Sequence, residues 1–355
     1  MLSFIEEPSI WDRLPEETRP VVLYGMGDGA LKILDACRQK GVRVQGIFAS
    51  DNHARGNEFA GFQVKKLADM EAEFGDFIIL LCFAAFREDL LEQLYRIGQR
   101  HELLAPDVPV FGEGLFDQAY LDAHSGELET VYHLLADEQS RRVFRHVLNF
   151  KISGKPSYLR EAETPKSEVY EGILRLSGDE DYYDLGGYDG DTVQEFLSET
   201  CGKFRSITVL EPDEKNFRKL ERAAASFPDG DIRLVQAASW VKDGSLPFCG
   251  KAGRSSFLGE GGKTLAPVRS VDSLADGNRV SFLKMDVEGA EAETLLGAAE
   301  TIRRWAPKLA VSAYHRSGDL FRLPLLIRSL RPDYRLFLRH QPYIPAWETN
   351  LYAVL

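Results

Sequence analysis

Cysteine, long apolar runs and positive charge are all scarce in this chain of 355 residues. The four cysteines lack the paired spacing typical of zinc sites and disulfide frameworks, and they lie far apart, at Cys37, Cys82, Cys201 and Cys249. The longest apolar run, residues 77–86, is shorter than the roughly 20 residues that a membrane-spanning helix needs. Acids rather than basic residues open the chain, which is atypical of a signal peptide. We therefore expect no membrane span and a reducing, cytoplasmic location.

The shortage of positive charge argues against nucleic acid as a partner. Asp and Glu number 55 against 43 Lys and Arg, which gives a formal net charge of -12. Proteins that bind nucleic acid need clustered Lys and Arg to neutralise the phosphates. A small neutral or cationic ligand fits this charge balance better.

The first third of the chain alternates strand and helix signals. Strands are predicted at residues 21–24, 42–48 and 77–82, and a helix over residues 30–40. Such alternation is typical of a small Rossmann-like parallel sheet with helices on its faces. We predict about four strands in this N-terminal domain, which would span residues 1–114.

A helical connector is predicted over residues 115–167. Between residues 115 and 150 the apolar side chains recur at helical spacing, as at Val143, Val147 and Leu148. Residues 151–167 contain Gly154, Pro156, Ser157 and Pro165, so they are predicted to form turns and to mark the domain boundary.

Strand and helix signals resume in the C-terminal half, which would form a second α/β domain over residues 168–355. Five parallel strands are predicted at residues 182–185, 207–210, 233–236, 280–286 and 309–313. The last two apolar segments, residues 334–338 and 350–354, leave no room for a crossover helix and should pair as an antiparallel hairpin. This pattern predicts a seven-stranded Rossmann-like sheet of the methyltransferase type. The glycine-rich residues 244–262 would form a loop, either a lid over a pocket or a surface excursion.

A glycine-rich turn follows the first strand of this half, with the sequence Asp184-Leu185-Gly186-Gly187-Tyr188-Asp189-Gly190. Glycine lets the backbone turn sharply and approach a ligand closely, and the helix that follows presents unpaired N–H groups. A strand-to-helix turn with no ligand is the alternative interpretation.

The next two strand ends extend this candidate cofactor site. Glu211-Pro212 ends the second strand, where a doubly wound fold places the acid that binds ribose hydroxyls; an ordinary acid at a helix start is the alternative. Gln236-Ala237 ends the third strand, where small side chains leave space for an adenine edge. The predicted cofactor-binding residues are Asp184, Gly186, Gly187, Asp189, Gly190, Glu211, Pro212, Gln236, Ala237 and Asp286.

The most specific signal is the segment Lys284-Met285-Asp286-Val287-Glu288-Gly289-Ala290-Glu291. It resembles the signature of the FkbM family of methyltransferases, with Met285 as the only departure in its core. The resemblance extends over about residues 182–355 and includes the glycine-rich turn and the end of the second strand. It implies a Rossmann-like methyltransferase that uses S-adenosylmethionine, usually on a hydroxyl oxygen of a sugar, polyketide or related small metabolite.

The charge of the predicted site agrees with this cofactor. S-adenosylmethionine carries an ammonium and a sulfonium group, to which Asp184, Asp189, Glu211 and Asp286 would be electrostatically suited. The same acids would repel the diphosphate of a dinucleotide, although at least one of them is expected to be only a helix cap.

Transfer to an alcohol also requires a group that takes up the proton of the acceptor. Histidine suits this task near neutral pH, and His315 follows the fifth strand beside the acids of the fourth. His340, after the sixth strand, is expected to be structural. Asp286 or Glu288 could serve as the base instead, or could hold a divalent metal that orients the acceptor. No further metal ligand is evident from the sequence, so we predict no metal site.

The N-terminal half supports a rival hypothesis. Gly25-Met26-Gly27-Asp28-Gly29-Ala30 follows a strand and precedes Asp51, which matches a dinucleotide fingerprint and suggests an NAD(P)-dependent oxidoreductase. Asp28 has the wrong charge for a phosphate cradle, and the second mononucleotide-binding half is missing. This half could instead bind a nucleotide or nucleotide-sugar or mediate dimerisation. The third hypothesis is a non-catalytic nucleotide-binding scaffold.

Overall fold

The computed structural model describes residues 2, 4–50, 53–54, 56–112, 114–249, 257–258 and 264–355. Asp51, of the predicted dinucleotide fingerprint, lies outside these residues. The expected α/β class with two separate sheets is confirmed. Among the described helices, none combines the length and apolar character needed to cross a bilayer.

The N-terminal sheet has six strands rather than about four, because a short hairpin and a final strand extend it. Its central strands are continuous runs of buried apolar residues, as expected where helices cover both faces of a parallel sheet. The strand order is β3-β4-β2-β1-β5-β6, and only the β3–β4 pair is antiparallel. In chain order the elements are α1 (Ile10–Arg13), β1 (Val21–Tyr24), α2 (Asp28–Gln39), β2 (Val44–Phe48), β3 (Glu58–Phe59), β4 (Phe62–Lys65), α3 (Leu67–Phe74), β5 (Ile78–Leu81), α4 (Glu88–Gly98) and β6 (Glu102–Leu104).

A helical connector follows, as predicted, but its second part is also helical. The helices are α5 (Gln118–Ala123), α6 (Ser125–Leu134), α7 (Glu138–Ser153), α8 (Pro156–Ala162) and a π-helical segment, Glu168–Leu174. The expectation of turns over residues 151–167 is therefore wrong for most of that stretch. Gly154 ends α7 in the left-handed conformation, and Pro156 begins α8, so both residues punctuate helices.

The C-terminal sheet has the predicted seven strands and terminal hairpin, in the order β16-β17-β15-β14-β7-β8-β9. The five strands from β15 to β9 in this order run parallel, and β17 pairs antiparallel with β15. The elements are β7 (Asp181–Leu185), α9 (Asp191–Glu199), β8 (Ser206–Leu210), α10 (Glu214–Ala224), β9 (Asp231–Val235), β10 (Ala238–Ser239), β11 (Gly244–Cys249), β12 (Phe257–Leu258), β13 (Thr264–Arg269), α11 (Val271–Ala275), β14 (Phe282–Met285), α12 (Glu291–Gly297), α13 (Ala299–Trp305), β15 (Lys308–Ser312), α14 (Asp319–Leu330), β16 (Arg335–His340) and β17 (Thr349–Val354).

The stretch predicted as a glycine-rich loop contains ordered strands. The β11 strand pairs antiparallel with β13 and with β12, and β13 pairs with β10, which makes a small four-stranded sheet. A loop over all of residues 244–262 is therefore incorrect. Residues 250–256 and 259–263 lie outside the described residues, so a lid in this segment stays a prediction.

One hydrophobic core runs through both sheets and the connector. It contains Ile79 from the N-terminal sheet, Phe144 from α7 and Leu283 from the C-terminal sheet, all fully buried. Backbone pairing also joins the two halves of the chain. Ala85, in the N-terminal half, forms an antiparallel bridge with Ile344, in the C-terminal half. The two sheets are thus packed as parts of one structure.

A buried ion pair ties the connector to the N-terminal sheet. Lys151 Nζ lies 2.7 Å from an oxygen of Asp107, and their side chains are only 4% and 11% exposed. Replacing Lys151 by Met would leave a buried carboxylate without its cation, so we expect the free energy of unfolding to fall by about 3–5 kcal/mol. Denaturant unfolding of Lys151→Met and of Lys155→Met would measure it. Lys155 pairs with Glu7 at a more exposed position, and its loss should cost about 1 kcal/mol or less. Equal losses in both variants would contradict the prediction.

Candidate active site

An open cavity of about 820 Å³ lies at the carboxyl ends of the C-terminal strands. In open α/β sheets this edge binds ligands, because the loops after the strands converge there. The predicted site residues that border the cavity are Gly186, Glu211, Pro212, Ala237, Asp286, Glu288 and His315. The structure therefore brings together residues that are widely separated in sequence.

Five predicted residues do not border this cavity: Asp184, Gly187, Asp189, Gly190 and Gln236.

The adjacent glycines of the turn, Gly186 and Gly187, have a packing role. Gly186 has φ of +91°, and a Cβ there would lie 1.9 Å from the carbonyl oxygen of Asp286. A Cβ at Gly187 would lie 2.2 Å from Val209. Only glycine lets this turn pass between the neighbouring strands, whether or not a ligand is bound.

Asp184 is fully buried and acts through its neighbours. Its carboxylate lies 3.2 Å from Lys284 Nζ and accepts a hydrogen bond from the hydroxyl of Thr192. Burial alone would lower the pKa of Lys284, but Asp184 and Asp286 together raise it. Lys284 therefore remains charged and borders the cavity, a role that the sequence analysis did not assign to it.

Glu211 is held between the glycine-rich turn and the start of α10. One carboxylate oxygen accepts the N–H of Tyr188 at 2.9 Å, and the other accepts the N–H of Asp213 at 2.8 Å. Burial raises the pKa of Glu211 to about 7. The side chain thus shapes the turn as well as facing the cavity, so its replacement by Ala would leave backbone donors unpaired.

His315 is surrounded by three carboxylates. Its Nδ1 lies 2.9 Å from Glu291, while its Nε2 lies 3.5 Å from both Asp286 and Glu288. Burial alone would lower the pKa of His315, but these charges, led by Glu291, raise it to about 10. The imidazole is therefore protonated near neutral pH, which disfavours it as a general base in the unliganded protein. Its catalytic role stays a prediction.

Comparison with known proteins identifies the C-terminal half. Residues 184–345 match the model of the methyltransferase FkbM domain. The chain therefore carries an FkbM methyltransferase domain. The protein is a methyltransferase, and the N-terminal oxidoreductase hypothesis gains no support from this match. No curated protein matches the chain significantly.

One solved structure shares the fold over nearly the whole chain. The methyltransferase FkbM from Methylobacillus flagellatus KT has a TM-score of 0.73 and 24% identity, over 99% of this chain and 95% of that one. An rRNA methylase from Streptococcus thermophilus has a TM-score of 0.35 and 11% identity, over 54% of this chain and 96% of that one. Fibrillarin from Aeropyrum pernix, with bound S-adenosyl-L-methionine, has a TM-score of 0.34 and 12% identity, over 53% of this chain and 73% of that one.

Aromatic rings line one wall of the FkbM cavity, and the sequence analysis missed them. Tyr314 contacts Trp347, which contacts Tyr343, and Tyr343 stacks on Phe86 with ring centres 5.5 Å apart. Phe86 comes from the N-terminal half and is 58% exposed. The cavity is therefore built from both halves of the chain. No sequence signal links these residues, because they meet only through the packing of the two sheets.

His340 is buried within β16, and its Nδ1 lies 3.0 Å from the hydroxyl of Thr349. Burial lowers its pKa to about 3. It does not border the FkbM cavity, in agreement with the structural role expected for it.

The two buried histidines should therefore differ in charge, with His315 cationic and His340 neutral. We expect His315 to keep both ring protons at pH 8 and His340 to stay neutral at pH 5. NMR of histidine-labelled protein in a metal chelator would measure both. Because the pKa of His315 rises from 6.5 to about 10 on folding, its stabilising effect is complete below about pH 6.5 and is lost as pH rises through about 10. Titration of His315 near pH 6.5 would contradict this assignment.

Proposed function

We propose that the FkbM domain binds S-adenosylmethionine in the cavity and methylates a hydroxyl oxygen of a small metabolite. The observation that carries the proposal is the buried Glu211 carboxylate at the end of β8, beside the glycine-rich turn. A carboxylate at this strand end is suited to accept hydrogen bonds from the two ribose hydroxyls of a nucleoside. Ala237, at the next strand end, is buried and leaves room for a flat base.

The charge of the cavity favours a cationic cofactor. Among the described residues, six carboxylates border it, against two lysines and His315. The acids are Asp191, Glu195, Glu211, Asp286, Glu288 and Glu348. When bound, S-adenosylmethionine would supply a methyl group on a positively charged sulfur. The excess of carboxylates would stabilise the cationic groups of the cofactor and would oppose a dinucleotide diphosphate.

The carboxylates at the end of β14 are the best candidates to receive the acceptor. Asp286 accepts a hydrogen bond from Tyr314 at 3.3 Å, and Glu288 faces the cavity from the adjoining loop. Burial alone would raise the pKa of Asp286, but Lys284 and His315 keep it below its usual range. Asp286 therefore stays ionised and can orient a hydroxyl group by accepting its hydrogen bond, while Glu288 takes up the proton. Such positioning supplies several kcal/mol of the barrier reduction in transfer reactions.

The aromatic wall would contact the body of the acceptor. Rings such as Phe86 and Trp347 provide flat apolar surfaces that suit a sugar face or a polyketide chain. In this proposal the N-terminal half helps to select the acceptor. Binding of a nucleotide or nucleotide-sugar by the N-terminal sheet, and a homodimer, stay predictions.

The first test concerns the cofactor. Glu211→Gln keeps the size of the side chain and one acceptor oxygen but removes the charge. Loss of a charged hydrogen bond of about 1.5–3 kcal/mol should weaken S-adenosylmethionine binding about 10–100-fold. Calorimetric titration at pH 8 would measure this, with Glu214→Gln as the matched control, because Glu214 is a nearby exposed acid. Unchanged affinity in Glu211→Gln would refute the assigned ribose site.

The second test concerns the acceptor wall. Phe86→Ala removes an exposed ring that stacks on Tyr343, so the KM of an acceptor found by screening hydroxylated metabolites should rise. An aromatic contact of about 0.5–1.5 kcal/mol corresponds to about 2–10-fold. Steady-state kinetics would measure KM, and the affinity for S-adenosylmethionine should not change. Leu31→Ala, which removes an exposed apolar side chain elsewhere in the N-terminal half, is the control. An unaltered KM in Phe86→Ala would exclude the aromatic wall from acceptor binding.

A further inference from the structure

The orientation of His315 is fixed from behind by a buried carboxylate. Glu291 is fully buried, and one of its oxygens lies 2.9 Å from His315 Nδ1. The same oxygen accepts the N–H groups of Val287 at 3.0 Å and Gly289 at 3.4 Å. A carboxylate on one ring nitrogen, with the other nitrogen directed at a site, is the usual arrangement behind a metal-binding histidine.

Among the described residues, the contacts of the other ring nitrogen are two long ion pairs. His315 Nε2 lies 3.5 Å from Asp286 Oδ1 and 3.5 Å from Glu288 Oε2, although its side chain is only 2% exposed. An N–H···O hydrogen bond is shorter, about 2.7–3.2 Å. Ligand atoms about 2.0–2.2 Å from a tetrahedral ion, however, lie about 3.3–3.6 Å from one another. The two distances of 3.5 Å from His315 Nε2 therefore match those between two ligands of one ion better than they match a direct hydrogen bond.

Further features of the cluster agree with a cation. One ligand atom each from Asp286, Glu291 and His315 lies within 4.8 Å of the others. The second oxygen of Glu291 is buried and has no hydrogen-bond partner. Asp286 and Glu288 follow β14 and border the cavity, and His315, just after β15, borders it beside them. An additional positive charge there would offset the cost of burying the carboxylates.

The geometry points to a divalent transition-metal site formed by His315 Nε2, Asp286 Oδ1 and Glu288 Oε2, with Glu291 as the carboxylate that orients the histidine. An imidazole with two carboxylates suits Zn²⁺ better than Mg²⁺, which prefers oxygen ligands and a tighter octahedral arrangement. The three protein ligands leave a fourth position open toward the cavity. The site would thus correct our expectation that the chain has no metal ligands beyond Asp286 and Glu288.

The use of this site rests on the proposed methyl transfer. At its open position the cation would bind the hydroxyl oxygen of the acceptor and lower the pKa of that hydroxyl, whose proton would pass to a neighbouring carboxylate or water. The binding of the ion itself does not depend on the cofactor, so the two proposals are testable separately.

The test is calorimetric titration of the full chain, freed of metal by a chelator and dialysed, with ZnCl₂ and in parallel with MgCl₂. We expect one Zn²⁺ site per chain and weaker binding of Mg²⁺. His315→Ala should abolish the site. Glu291→Gln should weaken it about 10–100-fold through loss of the orienting contact, and Glu288→Gln at least as much. Circular dichroism would confirm folding. Glu288→Gln should fold normally, because Glu288 borders the cavity and glutamine has nearly the same size as glutamate.

Matched controls separate this site from adventitious binding. His124 also contacts a carboxylate, Glu127, but lies outside the cavity, so His124→Ala should bind zinc normally. The inference is overturned by the absence of a stoichiometric zinc site, by tighter binding of Mg²⁺ than of Zn²⁺, or by a site that persists in folded His315→Ala and Glu288→Gln. Persistence would place the ion elsewhere, for example on the exposed Cys201. Titration with S-adenosylmethionine in chelator distinguishes failure of this inference from failure of the proposed function.

Discussion

The arrangement of the site depends on the buried carboxylate of Glu291. It accepts N–H groups from the loop after β14, at Val287 and Gly289, and contacts the ring of His315 after β15. These contacts, all to one carboxylate oxygen, offset part of the cost of burying the charge. One side chain therefore holds two neighbouring strand ends in a fixed relation, and the functional groups carried by those ends converge on the cavity.

The same region joins the two halves of the chain. The N–H of Phe111, from the N-terminal half, donates to the carbonyl of His315 at 3.0 Å. A Cβ on Gly289 would lie 3.1 Å from Phe111, so the close approach requires glycine at φ of +89°. The N-terminal half thus supports the FkbM domain directly as well as contributing Phe86 to its cavity. The likeness to the Methylobacillus flagellatus fold also extends over both halves of the chain.

The fold was largely predictable because hydrophobic runs, helical periodicity and turn residues agree in most of the chain. The C-terminal hairpin followed from the lack of room for a crossover helix. The failures occur where turn residues have a second use. Glycine and proline are common in turns, but glycine also ends helices and proline also begins them. Here Gly154 ends α7 and Pro156 begins α8. The strand β11 was missed because its glycine-rich surroundings obscure its short alternating pattern.

The site was predictable as far as position along the sheet, but not as far as charge. The rule that ligands bind at the carboxyl ends of strands selected Glu211, Asp286 and His315, all of which border the cavity. The same rule does not distinguish His315 from His340, since both occur at strand ends. Three carboxylates raise the pKa of the first, whereas burial lowers that of the second. The protonation state of a histidine is set by neighbours from other segments of the chain. It can therefore be assigned only when the positions of those neighbours in the folded structure are known.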